Sequence, residues 1–169
     1  MPVPPRDWAP PFLEQAREDL RAAQAAYTAS CESTFCMLLQ MTFEKLAKAA
    51  FARQGAAPTH SHDGASRLLL LLGRTPGGPA LPGYRGRVLS AVQELETAQP
   101  AIVSRNVRNG VQQYPQLEYP WENPATQLVE WPAAHLPIAQ ATRDPRQRLG
   151  PELLKFAHAL SVQFCTLFP

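Results

Sequence analysis

Between Phe35 and Leu72 the chain reads FCMLLQMTFEKLAKAAFARQGAAPTHSHDGASRLLLLL, a run that leaves few choices of fold. Phe35, Leu38, Leu39, Thr42, Leu46 and Ala49 recur at three- and four-residue steps, which places them on one face of a helix. Glu44, Lys45 and Lys48 fall largely outside that stripe. Gly55 ends the helix, Pro58 prevents its resumption, and Ser61 or Asp63 is positioned to cap a second helix through a side-chain oxygen. Leu68, Leu69 and Leu72 supply the apolar face of that second helix. The unit is a helix, a tight turn and a helix.

The same periodicity recurs on either side. Residues 8–28 form a helix whose stripe is Phe12, Leu13, Ala16, Leu20, Ala23 and Tyr27, with Glu14, Arg17, Glu18 and Arg21 opposite; Pro10 and Pro11 are tolerated in a first turn. Further helices are expected over 31–54, 63–73 and 82–98, the last of these turning Tyr84, Val88, Ala91 or Val92, and Leu95 inward. The final one spans 151–167, starts at Pro151 and buries Leu154, Ala157, Leu160, Phe164 and Leu167. Strand alternation is weak throughout, and Gln127 to Trp131 is an edge ribbon at most. The expected fold is therefore all-α, an antiparallel up-and-down bundle of four or five helices in a single domain of 169 residues.

Residues 99–150 interrupt the pattern with seven prolines and the run YPQLEYPWENP. A connection this long without regular structure is unusual and is functional or disordered. Tyr114, Leu117, Tyr119, Trp121 and Trp131 are too aromatic for simple disorder, so an ordered loop laid over the bundle is expected. Tyr and Trp bring large rigid area at low entropic cost, which makes these five residues the candidate partner-binding set. The alternative is that the rings pack back onto the bundle as scaffold. Exposure separates the two.

Composition narrows the function classes. A net charge of +2 is too small to imply a phosphate-binding protein by itself. Cys31, Cys36 and Cys165 form no CxxC pair, sit in apolar helical contexts and read as reduced core residues of a cytoplasmic protein. The start MPVPPRDWAPP has no signal-peptide pattern, and the five leucines from Leu68 to Leu72 are too few to cross a bilayer, so no membrane association is expected. Gly77-Gly78 lacks the Lys-Ser or Lys-Thr of a phosphate loop, and no Ser, His and Asp spacing makes a nucleophile elbow. No cofactor is expected.

With Trp8, Asp19-Leu20, Glu44-Lys45, Lys48, Pro58, His60 or His62 and Leu68-Leu69, the segment from residue 8 to about 73 resembles the HEPN domain. That family includes prokaryotic toxins, nucleotidyltransferase partners and RNA-targeting effectors. The resemblance implies a helical bundle that forms a homodimer or joins a partner protein of a nucleotidyltransferase or defence system. In catalytic members it further implies an Arg followed after four to six residues by His, a pair that cleaves RNA without metal. Here Arg105-Asn106 matches the opening of that motif, but Gly110, Val111 and Gln112 stand where the His belongs. Lacking an imidazole, those positions offer no group that titrates near neutral pH. Arg105-Asn106 then reads as a solvated basic turn, and the chain as a HEPN-like binding module without its own catalysis. Two alternatives remain: a divergent ribonuclease in which Arg105 acts with His135 or His62, RNA being its substrate, and a structural subunit of a larger assembly. His60 and His62 have metal-compatible spacing but no third ligand in the neighbourhood, so capping or turn structure is expected and no metal. His158 lies one position past the core-facing Ala157 and reads as a boundary residue.

Overall fold

A computed structural model of the protein describes residues 3–57, 62–99, 107–108, 111–112 and 115–169. After a 3-10 turn at Pro5–Trp8 come α1 (Ala9–Thr28), α2 (Glu32–Arg53), α3 (Gly64–Arg74) and α4 (Gly86–Thr97). Two short antiparallel ribbons follow: β1 (Val107–Arg108) with β2 (Val111–Gln112), and β3 (Trp121–Glu122) with β4 (Val129–Glu130). The chain then forms α5 (Pro132–His135), α6 (Pro137–Arg143), α7 (Leu149–Val162) and α8 (Phe164–Leu167). The fold is an all-α bundle with minor ribbon decoration.

Cross-helix pairs establish the directions. Asp19 meets Lys45 while Tyr27 meets Phe35, so α1 and α2 run antiparallel. Arg17 reaches the Ser161 carbonyl while Tyr27 lies against Gly150, so α1 and α7 do likewise. Helix α2 is central: it touches α1, α3, α4, α6 and α7. Its buried residues include Phe35, Leu39, Phe43, Leu46, Ala47 and Ala50, which spread well beyond a single stripe. The alanines permit close approach; a Cβ placed on Gly64 would lie 3.1 Å from the Ala47 Cβ. Packing on several sides also explains why Glu44, expected off the apolar face, is only 7% exposed.

The stripes anticipated on α4 and the last helix are buried at Val88, Ala91, Val92 and Leu95, then at Leu154, Ala157, Leu160, Phe164 and Leu167; Tyr84 precedes α4, which starts at Gly86, and is half-buried against the core. The last helix differs in outline. It begins at Leu149 rather than Pro151 and breaks at Gln163, so that α8 turns Phe164 against Phe168 with ring centroids 5.0 Å apart. The capping also differs. Asp63 occupies the position before α3 but makes no side-chain cap bond, and Ser61 lies outside the described residues. Of the cysteines, only Cys36 is in the core, its Sγ 3.7 Å from Thr142 Oγ1 and its thiol pushed up to about 12 by burial. Cys31 and Cys165 are exposed, because each sits at a helix boundary where the stripe has ended.

Where α4 is approached, Gly83 adopts φ +86°, and a Cβ there would come 2.9 Å from the Phe156 Cβ. That close passage locks the α3–α4 connection against α7. Phe156 in turn stacks near Phe43 and Tyr84, with centroids 5.7 and 6.2 Å away, and is fully buried. Phe156→Ala should therefore cost about 3–5 kcal/mol in urea unfolding; a loss under about 1 kcal/mol would remove Phe156 from the centre of the core.

Candidate functional site

Gln40, Glu44 and Lys48 follow one another at four-residue steps, so they line a single ridge of α2. The Glu44 carboxylate accepts from Lys48 Nζ at 2.7 Å and from Gln40 Nε2 at 3.2 Å. His62 arrives from the turn before α3 and places Nδ1 3.0 Å from Glu44 Oε2. An ionised carboxylate only accepts, so Nδ1 carries the proton and Nε2 is the other ring nitrogen. The His62 side chain is 37% exposed, against 9% for Glu44. Burial by itself would raise the Glu44 carboxyl. The hydrogen bonds from Lys48, His62 and Gln40, together with the Lys48 charge, outweigh it and hold the group below its ordinary 4.5. One residue along α2, Lys45 pairs with the buried Asp19 of α1. Four charged side chains and a histidine thus join α1, α2 and the entry to α3.

A third carboxylate lies at the start of α3. Glu96 of α4, buried, accepts from the Ala65 N–H at 2.7 Å, from the Ser66 N–H at 3.2 Å and from the Ser66 hydroxyl. These are donors that the first turn of α3 cannot satisfy internally, and the negative charge faces the positive end of the helix. The cap for α3 thus comes from a neighbouring helix and not from its own sequence. Only a helix distant in sequence supplies the partner, so no local signature announces it.

Residues 9–77 match the family model of the HEPN domain. This part of the chain is HEPN-like. The match covers α1, α2 and α3 and therefore contains Asp19, Glu44, Lys45, Lys48 and His62, whereas Glu96 and everything after it lie beyond the HEPN match. Neither the curated proteins nor the solved structures gave a match.

Beyond the HEPN match, the segment between α4 and α7 departs from the expectation of a connection without regular structure. Its described residues hold two ribbons and two short helices, because Pro132 and Pro137 each open a helix and Asn123 organises a turn. The Asn123 side chain accepts from the Ala125 and Thr126 N–H groups and donates to Glu130 at 2.7 Å, while Gln127 takes φ +57°. Glu130 also receives the Trp121 indole N–H at 3.1 Å. The candidate partner-binding residues divide. Leu117 and Trp121 are in the core, at 2% and 3% exposure. Tyr119 and Trp131 are open, at 58% and 49%, as are Leu128 and Val129 of the same segment, which sequence reasoning passed over. Tyr114 lies outside the described residues.

Arg105, Asn106 and His60 lie outside the described residues. His135 is committed locally: its ring stands 4.4 Å from the Trp131 ring, and its Nδ1 accepts the Trp131 N–H at 3.1 Å. Among the described residues no three His, Cys, Asp or Glu side chains gather as a metal site, and no helix is long and apolar enough to cross a membrane.

The depressed Glu44 carboxyl carries a sign. A group whose folded pKa lies below its unfolded value stabilises the fold above the unfolded pKa, and that contribution is lost as pH falls through the folded one. Glu44→Gln should cost about 1–3 kcal/mol near neutrality. The gap to wild type should close on acidification below 4.5. Urea titrations over about pH 6 to pH 3 measure it, and a gap that stays constant would disprove the assignment.

Proposed function

We propose that the chain is a HEPN-like binding module without its own catalysis, a single domain that associates through the hairpin bearing Tyr119, Leu128, Val129 and Trp131. The observation that carries this is the exposure of those four apolar side chains on a segment whose other apolar residues, Leu117 and Trp121, are anchored in the core. A ribbon held by the Asn123 and Glu130 hydrogen bonds presents them with little ordering cost. Large exposed apolar side chains gathered on one element mark interaction sites. The occupant we favour is a second copy of the chain, with a helical or nucleotidyltransferase-type protein of a defence system as the alternative. Light scattering on the purified protein should give twice the chain mass, and Leu128→Asp with Trp131→Asp should return it to one while circular dichroism is unchanged. A wild-type monomer, or a dimer indifferent to both changes, would move the interface elsewhere.

A second reading is supported by the His62–Glu44 contact. A half-exposed imidazole whose Nδ1–H is held by a carboxylate, and whose Nε2 meets no hydrogen-bond partner among the described residues, can take a proton from a ribose hydroxyl. With Arg105 to stabilise phosphate charge, this would be a metal-independent ribonuclease. His135, tied to Trp131, is the weaker choice for the base. Incubation with labelled transfer and messenger RNA in chelator should show no cleavage under the binding-module reading. Cleavage that is lost in His62→Ala and Arg105→Ala but kept in His135→Ala would establish the enzyme instead.

A further inference from the structure

Away from the hairpin and the Glu44 network, a groove of about 660 Å³ runs between α1 and α7. At one end Arg17 reaches across to the Ser161 carbonyl at 3.4 Å; at the other the Tyr27 ring covers Gly150, where a Cβ would sit 2.5 Å from Cε2. From Arg17 to Tyr27 the rise of α1 makes the groove about 15 Å long, or three helical turns. Its floor is apolar, built from Leu20, Tyr27, Pro151 and Leu154, and Val162 stands 64% exposed near the Arg17 end.

The rim is cationic. Arg17 and Arg21 line it from α1, Lys155 and His158 from α7, and no carboxylate lines the groove. The side chains of Lys155 and His158 have no hydrogen-bond or ion-pair partner among the described residues, although the His158 carbonyl accepts the Ser161 hydroxyl at 3.1 Å. Arg17 and Arg21 are paired with Glu14 and Glu18 one turn earlier, on the exposed side of the helix. Exposed pairs of this kind contribute little, so a carboxylate arriving from outside displaces them at small cost.

We propose that this groove seats an amphipathic acidic helix of a partner protein, its apolar side chains on the floor between α1 and α7 and its Asp or Glu flanks against Lys155, Arg21 and Arg17. Length, an apolar floor and a basic rim together match the helix-in-groove mode, in which anchors spaced three and four residues apart enter a hydrophobic trough. A nucleic acid fits less well, because the apolar floor built from Leu20, Pro151 and Leu154 would face a sugar-phosphate backbone that buries no apolar side chain there. This surface is separate from the hairpin, and it stands or falls without the association proposed there.

The test uses the full chain and two synthetic helical peptides of about fifteen residues with the same leucine face, one flanked by Glu and the other by Lys. Fluorescence anisotropy should show the Glu peptide binding at least about tenfold more tightly, and Lys155→Glu with Arg21→Glu should reverse that preference. Both substitutions are at solvent-facing positions, and circular dichroism checks that the fold persists. Trp131→Asp should leave peptide binding unchanged. Equal binding of the two peptides, failure of both, or indifference to the charge reversals would overturn the proposal. So would displacement of the acidic peptide by single-stranded RNA at equal concentration, or a self-association that is lost in Lys155→Glu while neither peptide binds.

Discussion

The burial of α2 is the constraint on which the rest of the structure depends. A helix packed by α1, α3, α4, α6 and α7 keeps only a narrow, partly exposed stripe through Thr34, Met41, Lys45 and Lys48. Glu44 therefore sits inside, and an unpartnered charge there would be prohibitive. Lys48 and Gln40 from the same ridge and His62 from the next element supply what water no longer does. Asp19 and Lys45 repeat the solution between α1 and α2. The two cross-element pairs, Lys45 with Asp19 and Glu44 with His62, act as a register device: each forms only when the elements are aligned to within a turn.

The same logic ties the HEPN-like segment to the residues that follow it. Glu96 belongs to α4, outside the matched stretch, yet it satisfies the first turn of α3 inside it. Gly83 and Phe156 bring the α3–α4 connection and α7 into contact, and Tyr27 lies over Gly150. The hydrophobic core runs without interruption from Leu13 in α1 to Phe168 after α8. The later helices complete the packing of the earlier ones.

The segment between α4 and α7 answers two demands at once. Leu117, Trp121, Leu136 and Ile138 are drawn into the core, which anchors the segment and covers the bundle. Tyr119, Leu128, Val129 and Trp131 stay outside. In a run where aromatic and aliphatic residues follow one another so closely, both outcomes are compatible with the composition. The hydrogen bonds of Asn123 and Glu130 determine which side chains are turned away.

The periodicity of Leu13 to Tyr27, Phe35 to Ala49 and Leu154 to Leu167 determined by itself that the protein is an all-α bundle, because a three- and four-residue apolar repeat can be buried only as a helix face. The Glu44-Lys45, Lys48 and His62-Asp63 run was sufficient for the resemblance to the HEPN domain. What these residues do for one another was not legible. That Glu44 is buried depends on His62 and the entry to α3 closing over a ridge which the helical wheel alone leaves in solvent. That α3 is capped by Glu96, that Cys31 and Cys165 are exposed, and that the last helix breaks at Gln163 all depend on contacts between residues far apart in the chain. Local pattern decides which segments become helices, since it concerns neighbours within a turn. Burial of a charge and exposure of an aromatic ring are set by distant elements, and only the tertiary structure brings those to the same place.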